Sequence, residues 1–460
     1  MSLINAVIPL AAIVCAVAVM CTERIGRAPA LGLLGAVALV AAVQWLREGF
    51  YWQFLPTYLL LVATAWFVAA RPSGRFGGVA ARVGIGLLVV AAAFAWVLPP
   101  VPTLPAPSGP YPVGTETFRW VDPGRPETAT DDPADHRNVI AQAWYPAAEA
   151  TGSGSRYLDG LGKLPRQVSQ IPSFLMRGYD HIDTHGDYGA SLARDRDRWP
   201  VVLFSPGYGA PRAFYTALVA ELASRGFVIL AVDHPYETAV VELADGRLAT
   251  PVGDFPADDA AGERYMTEQQ AVRAADLRFV LDQLDRPGAL GPRLSGRLDT
   301  EHIAAIGHSF GGAAAAAAAA DDDRIRAAAN IDGTLYGHLP NRTLRQPFLL
   351  MESEHDETGH SANFLERNAA LLGRLGAGGF RFEIGDANHY SFTDVPLFLS
   401  GPGRFAAAQV IGGSRGPGPT QHVAADIVVA FLSEPLGGPR ADVVATAAAH
   451  RDIRGGIVGR

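Results

Sequence analysis

Three residues in a fixed order could carry out acyl chemistry in this chain: a serine between glycines, then an aspartate, then a histidine. Ser309 stands in Gly307-His308-Ser309-Phe310-Gly311, the G-x-S-x-G pattern of a nucleophile held on a strand-to-helix elbow. A serine hydroxyl is a weak nucleophile at neutral pH, so it needs an adjacent base and exposure on a tight turn. The flanking glycines remove side chains that would clash across that turn. The pattern is short, and Gly412-Gly413-Ser414-Arg415-Gly416 matches it too. Context separates the two. Ser309 follows the apolar run HIAAIG and precedes Gly312 and eight alanines, Ala313–Ala320. Alanine is the best helix former, and its small side chain lets a helix lie close to a sheet. The N-terminus of that helix would also point partial positive charge at a developing oxyanion. Ser414 is followed by Arg415, Gly416, Pro417, Gly418 and Pro419, which bar an immediate helix, so it reads as a loop residue.

A serine hydrolase of this kind places its partners in the order serine, acid, histidine. Asp332 ends the next strand-like run, IRAAANID, and His389 sits in GDANHYSFTD after the last strand. Glu354 and Asp356 in MESEHDETGH stand one strand later than Asp332 and are the alternative acids. His308 is expected to pack at the elbow. An oxyanion hole needs the N–H of the residue after the nucleophile, here Phe310, and a second from a loop after an earlier strand. FSPGYGAPR (204–212) is that loop. Pro206 has no N–H to give, which leaves Tyr208 as the second donor.

The elements that must position these residues alternate. Strands are expected at Val139–Pro146, Pro200–Gly207 and Phe227–Pro235, then at HIAAIG, IRAAANID, PFLLMESE and FRFEIGDANH. Helices are expected at Ala213–Gly226, Glu263–Asp285, the alanine run and Thr420–Glu434. In the second of these Val272, Ala275, Leu277, Val280, Leu281 and Leu284 fall largely on one face. Continuous apolar strands separated by helices predict an α/β fold, a mostly parallel sheet covered on both faces. The catalytic domain is assigned to 115–436, and the tail, 437–460, is expected to be loosely held.

The first hundred residues are of another kind. Leu3–Met20, Ala28–Leu46, Phe54–Ala70 and Val83–Pro99 are four apolar, charge-free stretches, each near the ~20 residues that cross a bilayer as a helix. Residues 1–99 therefore read as a membrane region of four transmembrane helices. Arg24 and Arg27 lie in the first loop and Arg71, Arg75 and Arg82 in the third, while the second, REGFYWQ, is neutral and aromatic. By the positive-inside rule the first and third loops face the cytoplasm, so the chain beyond Pro99 is expected outside it, at the cell membrane. Pro99–Gly114 is proline-rich, and 100–114 reads as an extended linker. Residues 1–99 carry a net +4 and the rest −12, which argues against nucleic acid as a partner. Both cysteines, Cys15 and Cys21, lie in or beside the first apolar stretch, so the rest of the chain has no thiol or disulfide chemistry.

LFSPGYG, GHSFGG, the NID strand end and HYSFTD together resemble the platelet-activating factor acetylhydrolase-like serine esterases of the α/β-hydrolase superfamily. The resemblance spans roughly 115–435 and favours Asp332 as the acid and Tyr208 with Phe310 as the oxyanion pair. It departs at Pro206, where eukaryotic members carry a histidine. It implies calcium-independent hydrolysis of short or oxidised acyl esters of phospholipids, with no cofactor. Related polyester and lipid esterases share much of the architecture, and an acyltransferase could use the same triad. His181 and His185 have metal-like spacing but no further histidine motif, and DDDR (321–324) lacks a spaced ligand loop, so no metal is expected.

Overall fold

The structure is a computed structural model that describes residues 3–459 apart from 23–24, 73–74, 169–170 and 254. Glu23 and Arg24, and the side chain of Arg75, on which part of the orientation reading rests, lie outside the described residues. The chain forms two compact units. One comprises Met1–Thr103, Pro172–Ile182 and Leu397–Ala406, the other Leu104–Ile171, Asp183–Pro396 and Ala407–Arg460. The break at Thr103 falls inside the expected linker, but the two later excursions into the first unit have no signal in the sequence pattern.

The first unit holds four helices, α1 (Leu3–Cys21), α2 (Arg27–Glu48), α3 (Leu55–Ala70) and α4 (Arg75–Ala92). With the 3₁₀ turns beside α3 and α4, the spans Leu3–Cys21, Arg27–Glu48, Trp52–Ala70 and Phe76–Trp96 are long and apolar enough to cross a membrane. Small residues such as Ala12, Ala16 and Ala30 meet Leu34, Leu60 and Ile85 in their shared core. Their outer faces stay apolar: Leu39, Val62, Leu87 and Val90 are about two-thirds or more exposed, at 66%, 68%, 67% and 73%. Exposed apolar surface of this kind is a liability in water and is the kind that suits lipid. α4 starts eight residues before the expected Val83 and gives way to a 3₁₀ turn at Ala93–Trp96. A charge-free window rejects Arg82, yet its guanidinium lies over the Phe67 ring, 5.5 Å from the centroid, and the helix runs past it. The aromatic loop gathers Trp45, Phe50, Tyr51, Phe54 and Tyr58 into a ring cluster. The excursion at 172–182 lies on the same loop, where Trp52 donates to Leu175 O (3.4 Å) and His181 Nε2 sits 3.2 Å from Glu48 O.

The second unit is built on a ten-stranded sheet. Its strands are β1 (Val113–Pro126), β2 (His136–Pro146), β3 (Gly186–Tyr188), β4 (Trp199–Ser205), β5 (Val228–Asp233), β6 (Leu298–His308), β7 (Ile325–Ile331), β8 (Phe348–Ser353), β9 (Gly379–Ile384) and β10 (Ile453–Val458). They lie in the order β10-β9-β8-β7-β6-β4-β5-β2-β1-β3. The six from β9 to β5 are mutually parallel, and β2 and β10 join antiparallel on either side. Alternate residues of the central strands feed two cores. Val201, Leu203, Ala305 and Leu350 meet helices α6 (Asp259–Asp285) and α7 (Phe310–Asp321) on one face. Val202, Phe204, Ile306 and Leu349 meet α5 (Thr216–Ser224) and a C-terminal helix, Pro417–Ser433, on the other. This is the expected α/β-hydrolase arrangement.

Four expectations need correction. The tail is ordered, because β10 pairs with β9 along its whole length. Its Gly455-Gly456 pair breaks the alternation that marks a strand, and a Cβ at Gly455 would lie 2.0 Å from Arg381 O. His389 therefore follows the last parallel strand but not the last strand. The second half of the linker is docked: Ser108 donates through its N–H (2.6 Å) and Oγ (2.5 Å) to Glu221 on α5. The C-terminal helix begins at Pro417, three residues earlier than expected, since prolines in a first turn forfeit no hydrogen bond.

Candidate active site

Ser309 occupies the β6–α7 junction with φ 55 and ψ −128. A side-chain-bearing residue at positive φ is strained and persists only where its surroundings enforce it. Here the Ser309 N–H is tied to Ile331 O on β7 at 2.7 Å. The turn also closes very tightly. A Cβ at Gly307 would lie 2.3 Å from Gly311 C, and one at Gly311 would lie 1.9 Å from Ser205 O. Ser414 sits in a turn with no strand before it.

The structure brings the three expected residues into line. His389 Nε2 is 3.0 Å from Ser309 Oγ, and His389 Nδ1 is 2.7 Å from Asp332 Oδ2. Asp332 follows β7, the strand next to the one that leads into Ser309. Its carboxylate accepts four hydrogen bonds: from His389, Ser353 N–H (2.8 Å), Ser353 Oγ (2.8 Å) and His360 Nε2 (2.9 Å). Burial opposes its ionisation, but the two imidazoles outweigh burial and hold its pKa well below the carboxylate range. Glu354 accepts instead from Arg454 and the Asp386 N–H, each at 2.6 Å. Among the described hydrogen bonds neither Glu354 nor Asp356 meets His389.

The glycine loop after β4 lies beside the elbow. Gly207 donates its N–H to Tyr215 Oη (2.9 Å) and Gly209 donates to Glu237 (3.3 Å). Between them the Tyr208 N–H has no partner among the described residues. Phe310 opens α7, and first-turn N–H groups have no acceptor within their helix. His308 packs at the elbow as expected. It accepts from Tyr215 Oη at Nδ1 (2.8 Å) and donates from Nε2 to His389 O (3.0 Å). Burial, with His389 beside it, pushes its pKa down to about 3, so it stays neutral.

Several groups escaped sequence reasoning, two of them bearing on the site directly. His360 is one. The other is Arg273, wholly buried on α6. It pairs with Glu237, donates to Pro206 O and Gly207 O (3.1 Å), and lies 4.8 Å over the Phe310 ring. One guanidinium thus braces both segments of the prospective oxyanion hole. The helical pattern placed only apolar residues inward on α6, whereas Arg273 and Asp276 face in with Leu277 and Val280. Two charges three apart within an apolar stripe were the available signal.

Asp276 completes a second Ser–His–Asp line. Ser205 Oγ is 2.9 Å from His234 Nε2, and His234 Nδ1 is 2.8 Å from Asp276. All three side chains are buried, and Arg137 clamps Asp276 through two hydrogen bonds (3.1 and 2.7 Å). Burial, with Arg273 nearby, pushes the His234 pKa down to about 4.

Beside Ser309 and His389 lies a cleft of about 370 Å³, lined by Tyr208, Phe255, Phe310, Tyr336 and Phe364 among others. A larger groove of about 920 Å³ near β9, β10 and the C-terminal helix holds none of the site residues. His185 Nε2 lies 3.1 Å from Leu104 O, and His181 Nε2 lies 3.2 Å from Glu48 O. The DDDR carboxylates are each taken by an arginine: Asp321 by Arg342, Asp322 by Arg324 and Asp323 by Arg345.

The sequence matches the family model described as platelet-activating factor acetylhydrolase, isoform II, over residues 100–247 and 291–439. The gap between those stretches holds α6 and with it Arg273 and Asp276. A curated relative, a probable 1-alkyl-2-acetylglycerophosphocholine esterase from Arthroderma benhamiae, is 28% identical over 343 residues, spanning 68% of this chain and 82% of that protein. A platelet-activating factor acetylhydrolase from Cavia porcellus is 24% identical over 286 residues, spanning 58% of this chain and 64% of that protein. Among solved structures, a ferulic acid esterase from Streptomyces cinnamoneus matches with a TM-score of 0.64 at 30% identity, covering 77% of this chain and 99% of that one.

Proposed function

The chain belongs to the platelet-activating factor acetylhydrolase isoform II family of carboxylic ester hydrolases, and we propose that it is a membrane-anchored serine esterase acting through Ser309, His389 and Asp332. The observation that carries this reading is the continuous line from Ser309 Oγ through His389 to Asp332, at 3.0 and 2.7 Å. Ser309 attacks the ester carbonyl while His389 Nε2 takes its proton. The N–H groups of Tyr208 and Phe310 hold the oxyanion. His389 then hands the proton to the departing alcohol, and Asp332 stabilises the imidazolium that forms between the two transfers. Water, deprotonated by His389, releases the acid from the acyl-enzyme.

The substrate class proposed is a lipid or short-acyl phospholipid ester, in keeping with the curated relatives. A second reading, an ester with an aromatic acyl group, is favoured by the five aromatic rings that line the cleft and by the ferulic acid esterase likeness. The membrane helices would hold the catalytic unit outside the cytoplasm, in keeping with Arg27 at the start of α2, Arg71 at the end of α3 and Arg82 in the first half of α4. A panel of esters varied in acyl length, aromaticity and headgroup, run on the full chain in detergent, tests the substrate assignment. Preference for acetyl and short-acyl glycerophospholipids supports the first reading, and preference for hydroxycinnamoyl esters supports the second. A new ester formed in the presence of an alcohol acceptor, with little free acid, would mark an acyltransferase instead.

A further inference from the structure

His360 lies outside the triad, yet it touches the acid of the triad directly. Its Nε2 is 2.9 Å from Asp332 Oδ1, while His389 Nδ1 is 2.7 Å from Asp332 Oδ2. The carboxylate is thus held between two imidazoles, one on each oxygen. With Nε2 donating to the carboxylate, the Nδ1 of a neutral ring is left as an acceptor. That Nδ1 is buried and has no hydrogen-bond partner among the described residues. The ring stacks on Phe364, with centroids 4.0 Å apart and planes 15° from parallel, and the side chain is 5% exposed. If packing were the whole role of this ring, a phenylalanine would stack as well and would bury no unmet acceptor. What the imidazole adds is the N–H aimed at Asp332.

We propose that His360 is a positioning residue for the triad acid, fixing the Asp332 carboxylate so that Oδ2 meets His389 and tempering its negative charge. The inference rests on the Ser309–His389–Asp332 reading above. Asp332 stands just past the end of β7 at φ 59, its N–H tied to Met351 O on β8 at 2.7 Å, so its side chain departs from the strand's direction and is held by the donors on its carboxylate. Ser353, at the end of β8, supplies the other two donors, and Thr358 Oγ1 is 2.5 Å from Ser353 Oγ. The segment that carries Thr358 and His360 also forms one wall of the substrate cleft, so an occupant of the cleft lies against the residue that holds the acid.

A group that withdraws charge from Asp332 also sets how strongly Asp332 favours the His389 imidazolium. The other ionisable groups around this carboxylate are His308, whose ring is 4.5 Å from that of His389, and His355, whose ring is 4.9 Å from that of His360. Behind His355 stand Glu352 and Arg381, 2.7 Å apart. Replacing His360 by phenylalanine keeps the stack on Phe364 and removes only the donor. In His360→Phe, kcat should fall about tenfold while KM stays within about twofold. The acid limb of the kcat/KM profile should move to higher pH by roughly half a unit, because a less neutralised Asp332 raises the basicity of His389. His360→Gln, whose amide can still donate to Oδ1, should recover most of kcat and return the limb toward wild type.

The measurement is a pH series of kcat and kcat/KM on the full chain in detergent, with thermal unfolding as a check on folding. Wild-type kcat and an unmoved acid limb in a folded His360→Phe would overturn the proposal. So would a loss that His360→Gln does not recover at all. If the phenylalanine variant does not fold, His360→Met against His360→Gln carries the same comparison. Ser309→Ala in the same assay keeps the two readings apart, since activity surviving there would refute the triad itself, whatever His360 does.

Discussion

Two Ser–His–Asp lines with nearly the same distances lie in the second unit, and their surroundings differ. In Ser309–His389–Asp332 the serine and histidine are partly exposed beside a cleft, with His389 30% exposed. In Ser205–His234–Asp276 every side chain is buried, and His234 is 1% exposed. The first serine stands on a strained elbow at the mouth of a helix. The second ends a regular strand, and Arg273 Nη1 approaches its hydroxyl at 3.3 Å. A nucleophile needs a substrate within reach and a base that can accept a proton. The buried line has neither, because burial keeps His234 neutral down to a pKa of about 4. It ties β4, β5 and α6 together beside the glycine loop that carries Tyr208, the second oxyanion donor in the proposed mechanism. Geometry within a triad is therefore a weak mark of catalysis without access.

The comparison can be broken most forcefully by removing each serine. Ser309→Ala should lower kcat by roughly 10⁴-fold or more. Ser205→Ala should leave kcat within a few-fold and lower unfolding free energy by about 1–2 kcal/mol, read in urea denaturation. Next in size, Asp332→Asn should cost roughly 10³- to 10⁴-fold in kcat, as loss of an orienting carboxylate does. Glu354→Gln and Asp356→Asn should cost little. If either of these silenced the enzyme while Asp332→Asn did not, the acid would have to be reassigned. Arg273→Lys keeps a charge opposite Glu237 but loses the fork that grips Pro206 O and Gly207 O. It should lower kcat about tenfold with a smaller change in KM, the sign of weakened oxyanion support.

The smallest effect concerns acid stability. His234 and His308 have folded pKa values lowered to about 4 and about 3, against an ordinary 6.5. Between those limits the unfolded chain binds protons that the folded chain refuses, so their contribution to stability is present above pH 6.5 and is lost as pH falls toward 4 and below. Thermal unfolding followed from pH 7 to pH 4.5 should show a shallower decline in His308→Asn than in wild type. An equal or steeper decline would show that His308 titrates freely in the folded state.

How much the sequence disclosed, and how much it hid, depends on the range of each interaction. The elbow was legible because Gly307, Gly311 and the alanine run lie within a dozen residues of Ser309 and answer to one local clash. Asp332 and His389 were legible because a parallel α/β sheet delivers strand ends in chain order to one edge. The choice of Asp332 over Glu354 could not be read from spacing alone, since both end strands on that edge. Arg273 and Asp276 were hidden by the helical pattern, which assigns charges to solvent and cannot know that partners wait 36 to 139 residues away. His234, just past β5, pairs with Ser205 29 residues back and Asp276 42 residues on. His360 was hidden in a loop whose path only the packing of β8 against its neighbours sets. The same limit applied to β10, where two glycines replace the side chains that would have announced a strand.

The central claim, that Ser309 and not Ser205 is the nucleophile, is tested most directly by covalent labelling. The folded full chain is treated with a fluorophosphonate, digested, and the adduct located by mass spectrometry. The account predicts a single adduct on Ser309, formed in step with loss of esterase activity and absent from Asp332→Asn on the same timescale. An adduct on Ser205, or full inactivation with Ser309 unmodified, would contradict it.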